Sequence, residues 1–338
     1  RCECEVLGYT GKPDSYYRAI INWVKQRYDL DVTKEMINFV PGIVPGIGMA
    51  MNSFTRPGDK VMIQPPVYHP FAWVTTRNER TLVTNPLKWE NGMYRMDLDA
   101  FREQVKGCKL FILCNPHNPG GVVWTEDELR TVAEICYEEK VLVFSDEIHA
   151  DLTLPPYKHR PFATISEKAK MNSVTFMSPS KAFNMPGLAA SHAIIFNEDL
   201  RARFRKFMDA GELDMGHVFA FLSVEAAYTH GTEWLDQCLA YIQGNIDYVD
   251  NFLKTHAPRI KAIRPQASYL VWLDCRELGL NQEALNDFFA DKAHLALNDG
   301  AMFGKEGTGY MRLNVASPRS VIEQAMKQLA EAYQAMSF

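Results

Sequence analysis

Three short apolar runs, each ending in a cluster of polar residues, restrict this chain more than any other feature. Leu110-Phe111-Ile112-Leu113-Cys114 ends in Asn115-Pro116-His117-Asn118-Pro119-Gly120-Gly121. Val141-Leu142-Val143-Phe144 ends in Ser145-Asp146-Glu147, and Val174-Thr175-Phe176-Met177 ends in Ser178-Pro179-Ser180-Lys181. Runs this apolar read as buried strands. Helical periodicity near 98–106 precedes the first run and that over 126–139 lies between the first two, and further strand-like runs stand at 61–63, 81–83 and 192–196. Alternation of this kind predicts an α/β fold with a mostly parallel sheet covered by helices.

The pattern continues on both sides. Asp14 and Ser15 are good helix-capping types, and Tyr16, Ala19, Ile20, Trp23 and Val24 fall on one face of a helix over 14–28. Pro41-Gly42 starts a turn that opens another helix. Residues 213–256 read as helical throughout. Beyond Arg264-Pro265 a strand at 267–273, a helix at 282–291, a strand at 310–315 and a helix near 318–335 form a compact α+β unit. The expected organisation is an N-terminal segment over 1–28 that packs with the small domain, a large domain over 29–250 and a small domain over 251–338.

In open α/β sheets, ligands occupy the crevice beyond the carboxyl ends of the strands, where all three runs place their polar residues. An amide, a carboxylate and a lysine at that edge are the equipment for pyridoxal 5′-phosphate (PLP). The Lys181 amine can form a Schiff base with the cofactor aldehyde. Asp146 can keep the pyridine nitrogen protonated, which strengthens the ring as an electron sink. An asparagine amide after the first run, Asn115 or Asn118, can donate to the ring oxygen, and the hydroxyls of Ser178 and Ser180 to the phosphate. The backbone N–H groups of Ile43 and Val44, at a helix start, suit a phosphate whatever their side chains.

The order NPHNPGG, SDEIH, SPSKAFN and MRLNVASPR resembles the fold-type I PLP enzymes of the class I/II aminotransferase superfamily. SDEIH together with SKAFNMPGLAASHAI is most similar to the MalY/PatB branch of cystathionine β-lyases. The resemblance runs from about Gly8 to the C-terminus. It implies the aspartate aminotransferase (PLP-dependent transferase-like) fold, PLP as cofactor, a small amino-acid substrate and a homodimer with shared active sites. Tyr68 would stack on the pyridine face, and Arg312 would hold the substrate α-carboxylate with a bidentate guanidinium. His149 stands where many relatives carry a tyrosine that reaches the ring oxygen; that contact and a packed, hydrogen-bonded histidine are the two readings. Tyr9 corresponds to a tyrosine that reaches the phosphate of the neighbouring subunit. Many aminotransferases place an arginine on the phosphate at the position of Ala189, so the phosphate must rely on serines, helix amides and Tyr9. An N-terminal arm precedes Gly8 in such proteins and is absent from the sequence as given.

The resemblance fixes the cofactor more tightly than the reaction. The expected activity is carbon–sulfur β-elimination from a sulfur-containing L-amino acid, yielding pyruvate, ammonia and a thiol. The alternatives are an aminotransferase, which uses the same core residues, and a MalY-like protein that binds a transcription regulator.

Bulk properties exclude other classes. With 47% hydrophobic and 23% charged residues over 338 positions, the composition is that of a globular protein. A net charge of −5 argues against general nucleic-acid binding. No apolar run approaches the roughly 18 residues of a membrane span, and no signal-peptide pattern opens the chain. The cytoplasm is the expected location. The glycines at 42, 46 and 48 do not form a dinucleotide fingerprint, and Gly304-Lys305-Glu306-Gly307 is not a P-loop. The seven cysteines form no metal framework. Cys114 and Cys136 are expected to pack as small hydrophobes, and Cys2 and Cys4 to lie in a flexible terminus.

Overall fold

A computed structural model describes residues 8–336; Cys2 and Cys4 fall outside them. The strands, in chain order, are β1 (Ile37–Val40), β2 (Lys60–Ile63), β3 (Thr81–Thr84), β4 (Lys88–Glu90), β5 (Met93–Arg95), β6 (Cys108–Cys114) and β7 (Leu142–Asp146). They continue with β8 (Ser173–Met177), β9 (Ser191–Ile194), β10 (Lys261–Ile263), β11 (Leu270–Asp274), β12 (Asn298–Asp299) and β13 (Tyr310–Asn314). Seven of them form one sheet in the order β1-β9-β8-β7-β6-β2-β3. β3, β2, β6, β7 and β8 are parallel neighbours, whereas β9 runs antiparallel to both β8 and β1.

The central strands of the sheet are buried on both faces, which explains why β6 and β7 read as apolar runs. Successive side chains of a strand point to opposite faces. Leu110, Ile112 and Phe144 therefore pack under the helices Ile43–Phe54 and Glu198–Ala210. Phe111, Leu113 and Val143 pack on the other side, against the helix Glu126–Glu138. Phe111 and Phe144 have no exposed surface; truncating either to alanine removes about 3–5 kcal/mol of packing. A capping box starts Glu126–Glu138: the Thr125 hydroxyl accepts the Glu128 N–H at 3.2 Å, and the Glu128 carboxylate accepts the Thr125 N–H at 2.9 Å.

The first helix, Asp14–Tyr28, buries the five residues its periodicity selects. Trp23 stacks on Tyr228 at 4.8 Å, and Tyr16 meets Phe221 edge-on at 5.4 Å, both on the helix Val218–His230. The long helix Thr232–His256 follows and runs unbroken past residue 250. β10, β11, β13 and β12 make a second, antiparallel sheet. No described helix is long and apolar enough to cross a membrane.

Several local expectations needed correction. β1 has four residues that end at a Pro-Gly turn and too little pattern to announce itself. Residues 213–256 split into two helices at Gly231, and Glu198–Ala210 is a separate helix. The strand expected from 267 begins only at Leu270; Ala267 instead forms an isolated bridge with Thr153. The helix expected over 282–291 is α-helical to Asp287 and then widens into a π-turn segment, Phe288–Lys292.

Candidate active site

β6, β7 and β8 end level with one another because they are parallel and in register. Cys114 pairs with Asp146, and Asp146 with Phe176. The residues that follow each strand are thereby delivered to one edge. A cavity of about 470 Å³ opens there, closed on its far side by Tyr269, Leu270, Arg312 and Asn314 of the second sheet. Ile43, Val44, Tyr68, Asn118, Asp146, His149, Ser180, Lys181 and Arg312 all line it. Its volume suits a cofactor together with a small substrate.

The loop that carries Asn118 is pinned between the two sheets. The Gly121 carbonyl accepts the N–H groups of Gln266 at 2.8 Å and Ala267 at 3.1 Å. Gly121 has φ +66°, and a Cβ there would stand 2.5 Å from the Pro265 side chain. Only glycine allows that approach. The Asn118 N–H donates to the Cys114 sulfur at 3.3 Å. Cys114 is buried as expected, but it also forms part of the cavity wall.

Asp146 is buried, with its Oδ1 accepting the Ile148 N–H at 3.1 Å. Burial pushes its pKa up to about 7, helped by the Glu147 charge and opposed by the Ile148 N–H and Lys181. Burial and the nearby Arg312 guanidinium lower the Lys181 amine, while Asp146 opposes them. Lys181 makes no hydrogen bond among the described residues. His149 is buried with its Nδ1 unpartnered. Burial, and then the charges of Lys181 and Arg312, push its pKa down to about 3, so the ring is neutral. The structure thus packs His149 but leaves Nδ1 without the protein hydrogen bond that the structural reading expected.

Arg312 donates from Nη1 to Asn118 Oδ1 at 2.9 Å and from Nη2 to Asn298 Oδ1 at 2.7 Å. Its guanidinium lies 4.7 Å above the Phe303 ring, and its Nε is buried without a partner. Burial lowers its pKa to about 10, which still leaves it charged at neutral pH. Arg312 is therefore a guanidinium clamped between two asparagines.

At the opposite end, Gly42 precedes the helix Ile43–Phe54 without a side-chain cap, and the first intrahelical donor is the Gly46 N–H. The N–H groups of Ile43 and Val44 remain at the helix mouth. Ala189, in left-handed conformation, and Ser191 complete this wall. Two expected residues are not part of it. The Ser178 hydroxyl donates to the Ala190 carbonyl at 2.7 Å and accepts the Ser180 N–H at 3.1 Å, so it stitches the turn behind the cavity. Tyr9 is fully exposed and lies outside the cavity of its own chain.

Two residues at the cavity, and one that holds Arg312 from behind, carried no sequence signal. Tyr269 is placed by the pairing of β11 with β13, His69 follows Tyr68 in its loop, and Asn298 reaches Arg312 from β12. Asn298, an acceptor for Arg312, has no motif of its own.

A model of the family "Aminotransferase class I and II" matches residues 5–329. The chain is 38% identical to cystathionine β-lyase PatB of Bacillus subtilis, over 98% of this chain and 86% of PatB. It is 30% identical to protein MalY of Escherichia coli, over 98% of this chain and 85% of MalY. The structure of cystalysin from Treponema denticola, which contains pyridoxal 5′-phosphate, superimposes with a TM-score of 0.96 at 35% identity, over 98% of this chain and 85% of cystalysin. A cavity at the carboxyl edge of a mostly parallel sheet, and matches along nearly the whole length, converge on one assignment: this chain belongs to the class I and II aminotransferase family.

Proposed function

We propose that the protein is a PLP-dependent carbon–sulfur β-lyase that cleaves a sulfur-containing L-amino acid to pyruvate, ammonia and a thiol. The observation that carries this reading is the convergence of Lys181, Asp146, Asn118 and Arg312 on one cavity. The names of PatB and of the related cystathionine β-lyases select the reaction.

The residues present fit the cofactor. Asp146 is a buried carboxylate with no ion-pair partner among the described residues, and a protonated pyridine nitrogen would supply one. The unpartnered His149 ring and the Asn118 amide face the same space, suited to the ring oxygen. Tyr68 offers an aromatic face. Free N–H groups at Ile43 and Val44, with the Ser180 hydroxyl, suit the phosphate. Among the described residues of the wall, Arg312 is the only permanent cation, so phosphate binding depends on helix and hydroxyl dipoles more than on charge.

Bound PLP supplies an electron sink for charge that develops at the substrate Cα. Arg312 holds the substrate carboxylate, and Asn118 holds Arg312. Burial and the Arg312 charge lower the Lys181 amine, which favours the neutral form that can take the Cα proton at Nζ. Elimination breaks the Cβ–S bond with the electron pair leaving on sulfur, and the proton stored at Nζ is available to that thiolate. Hydrolysis of the remaining three-carbon fragment releases pyruvate and ammonia.

Tyr9, exposed on its own chain, would complete the phosphate end of a second copy's site, making the homodimer the working unit. The deciding experiment is product analysis with PLP-loaded protein and L-cystathionine, without added keto acid. Sustained formation of pyruvate, ammonia and homocysteine is expected. Stoichiometric conversion of the cofactor to its pyridoxamine form, without pyruvate, would move the assignment to aminotransferase.

A further inference from the structure

Glu147 follows Asp146 directly and its side chain is fully buried, yet it is not part of the cavity wall. Its Oε1 accepts the Ser145 hydroxyl at 2.9 Å and the Phe162 N–H at 2.8 Å. Its Oε2 meets His159 Nε2 at 2.7 Å, and the His159 side chain is 1% exposed. The Tyr28 ring of the first helix stands edge-on to that imidazole at 5.4 Å. The backbone on both sides is tied as well. The Glu147 N–H donates to the Phe176 carbonyl at 2.9 Å, and the Asp146 carbonyl accepts the Asn115 N–H at 2.9 Å.

A buried carboxylate costs several kcal/mol in lost hydration, and apolar residues of similar volume often serve stability equally well. Stability alone therefore explains this arrangement poorly. Its position explains it better. Four donors converge on one strand end, and that strand end carries Asp146.

We infer that Glu147, braced by His159, is a positioning residue for Asp146: it fixes the end of β7 so that the Asp146 carboxylate is held against the ring nitrogen of the cofactor. This rests on the reading of the cavity as a PLP site.

A double-mutant cycle on cofactor affinity tests this. PLP dissociation constants are measured from the cofactor's absorbance for wild type, Glu147→Gln, Asp146→Ala and the double variant, with thermal unfolding recorded for each. Glutamine keeps the oxygen that accepts from Ser145 and Phe162 and removes the charge. Glu147→Gln is expected to weaken PLP binding about tenfold in the wild-type background and less than about twofold on Asp146→Ala, a coupling typical of residues acting as a unit. Equal factors in both backgrounds, or no change in either, would overturn the inference and leave Glu147 a structural tie. Should Glu147→Gln not fold, His159→Gln takes its place in the same cycle, with the same non-additive pattern expected at a smaller factor. Wild-type protein that takes up no PLP would instead overturn the reading of the cavity, and this inference with it.

Discussion

The two ends of the cavity are built from different parts of the chain. At the end near Asp146, side chains do the work: a buried carboxylate, a neutral histidine and, behind them, the Glu147–His159 pair. At the end near Ile43 the wall consists of backbone N–H groups and small residues, Ser180, Ala189 and Ser191. The first kind of wall depends on residue identity. The second depends on where a helix begins, and tolerates apolar side chains because the main chain supplies the donors. Under the proposed function, such a wall would hold the phosphate although Ala189 stands where many aminotransferases place an arginine.

The largest effect is expected midway between the ends. Lys181→Ala should lower kcat by about 10²–10⁴-fold, the range for loss of a general base, and should abolish the cofactor's lysine-linked absorbance band. Turnover that survives would break the scheme at its centre. Arg312→Ala should raise KM by about 10–100-fold, as expected for losing charge-assisted hydrogen bonds to a carboxylate. Steady-state kinetics would check this, and an unchanged KM would place the carboxylate elsewhere.

The backbone-built end can be tested by a pair of variants. Ile43→Pro removes one N–H at the first helical position, where proline is favoured, and Gly42 with ψ 158° already suits a residue before proline. Ile43→Ala loses packing but keeps the donor. PLP affinity should fall about tenfold in the proline variant and stay near wild type in the alanine variant. Equal losses would mean that the Ile43 side chain, not its amide, matters.

The side-chain-built end should show the smallest effect, in the cofactor-free protein. Asp146 has a folded pKa of about 7, above the roughly 3.9 of an unfolded aspartate. Between those values the folded state holds more protons, so Asp146 stabilises the fold fully below about pH 4, and this contribution is lost as pH rises through 7. Relative to Asp146→Asn, wild-type Tm should therefore decline by a few degrees from pH 5 to pH 8. A flat difference would show that the carboxylate is not held at a desolvated site; loading with PLP should remove the decline.

Much of this site was legible because parallel β-structure writes its active edge into the sequence. Asn118, Asp146 and Lys181 each lie just after a continuous apolar run, and parallel strands in register bring such positions together. Ser178 follows the same strand as Lys181, but its hydroxyl engages the Ala190 carbonyl, a choice made by the turn that leads into β9. The direction of β9 was likewise hidden, since an apolar run has the same pattern read either way.

The sequence by itself determined the sheet, its covering helices, the family and the chemistry gathered at one edge, because burial period and strand-end residues are local properties. Only the tertiary structure decided how that edge is closed. Tyr269 is carried to the cavity just before β11, Asn298 is brought to Arg312 by the pairing of β12 with β13, and Asn118 and Arg312 meet across 194 positions of chain. Such contacts depend on the packing of two sheets, which no local pattern encodes.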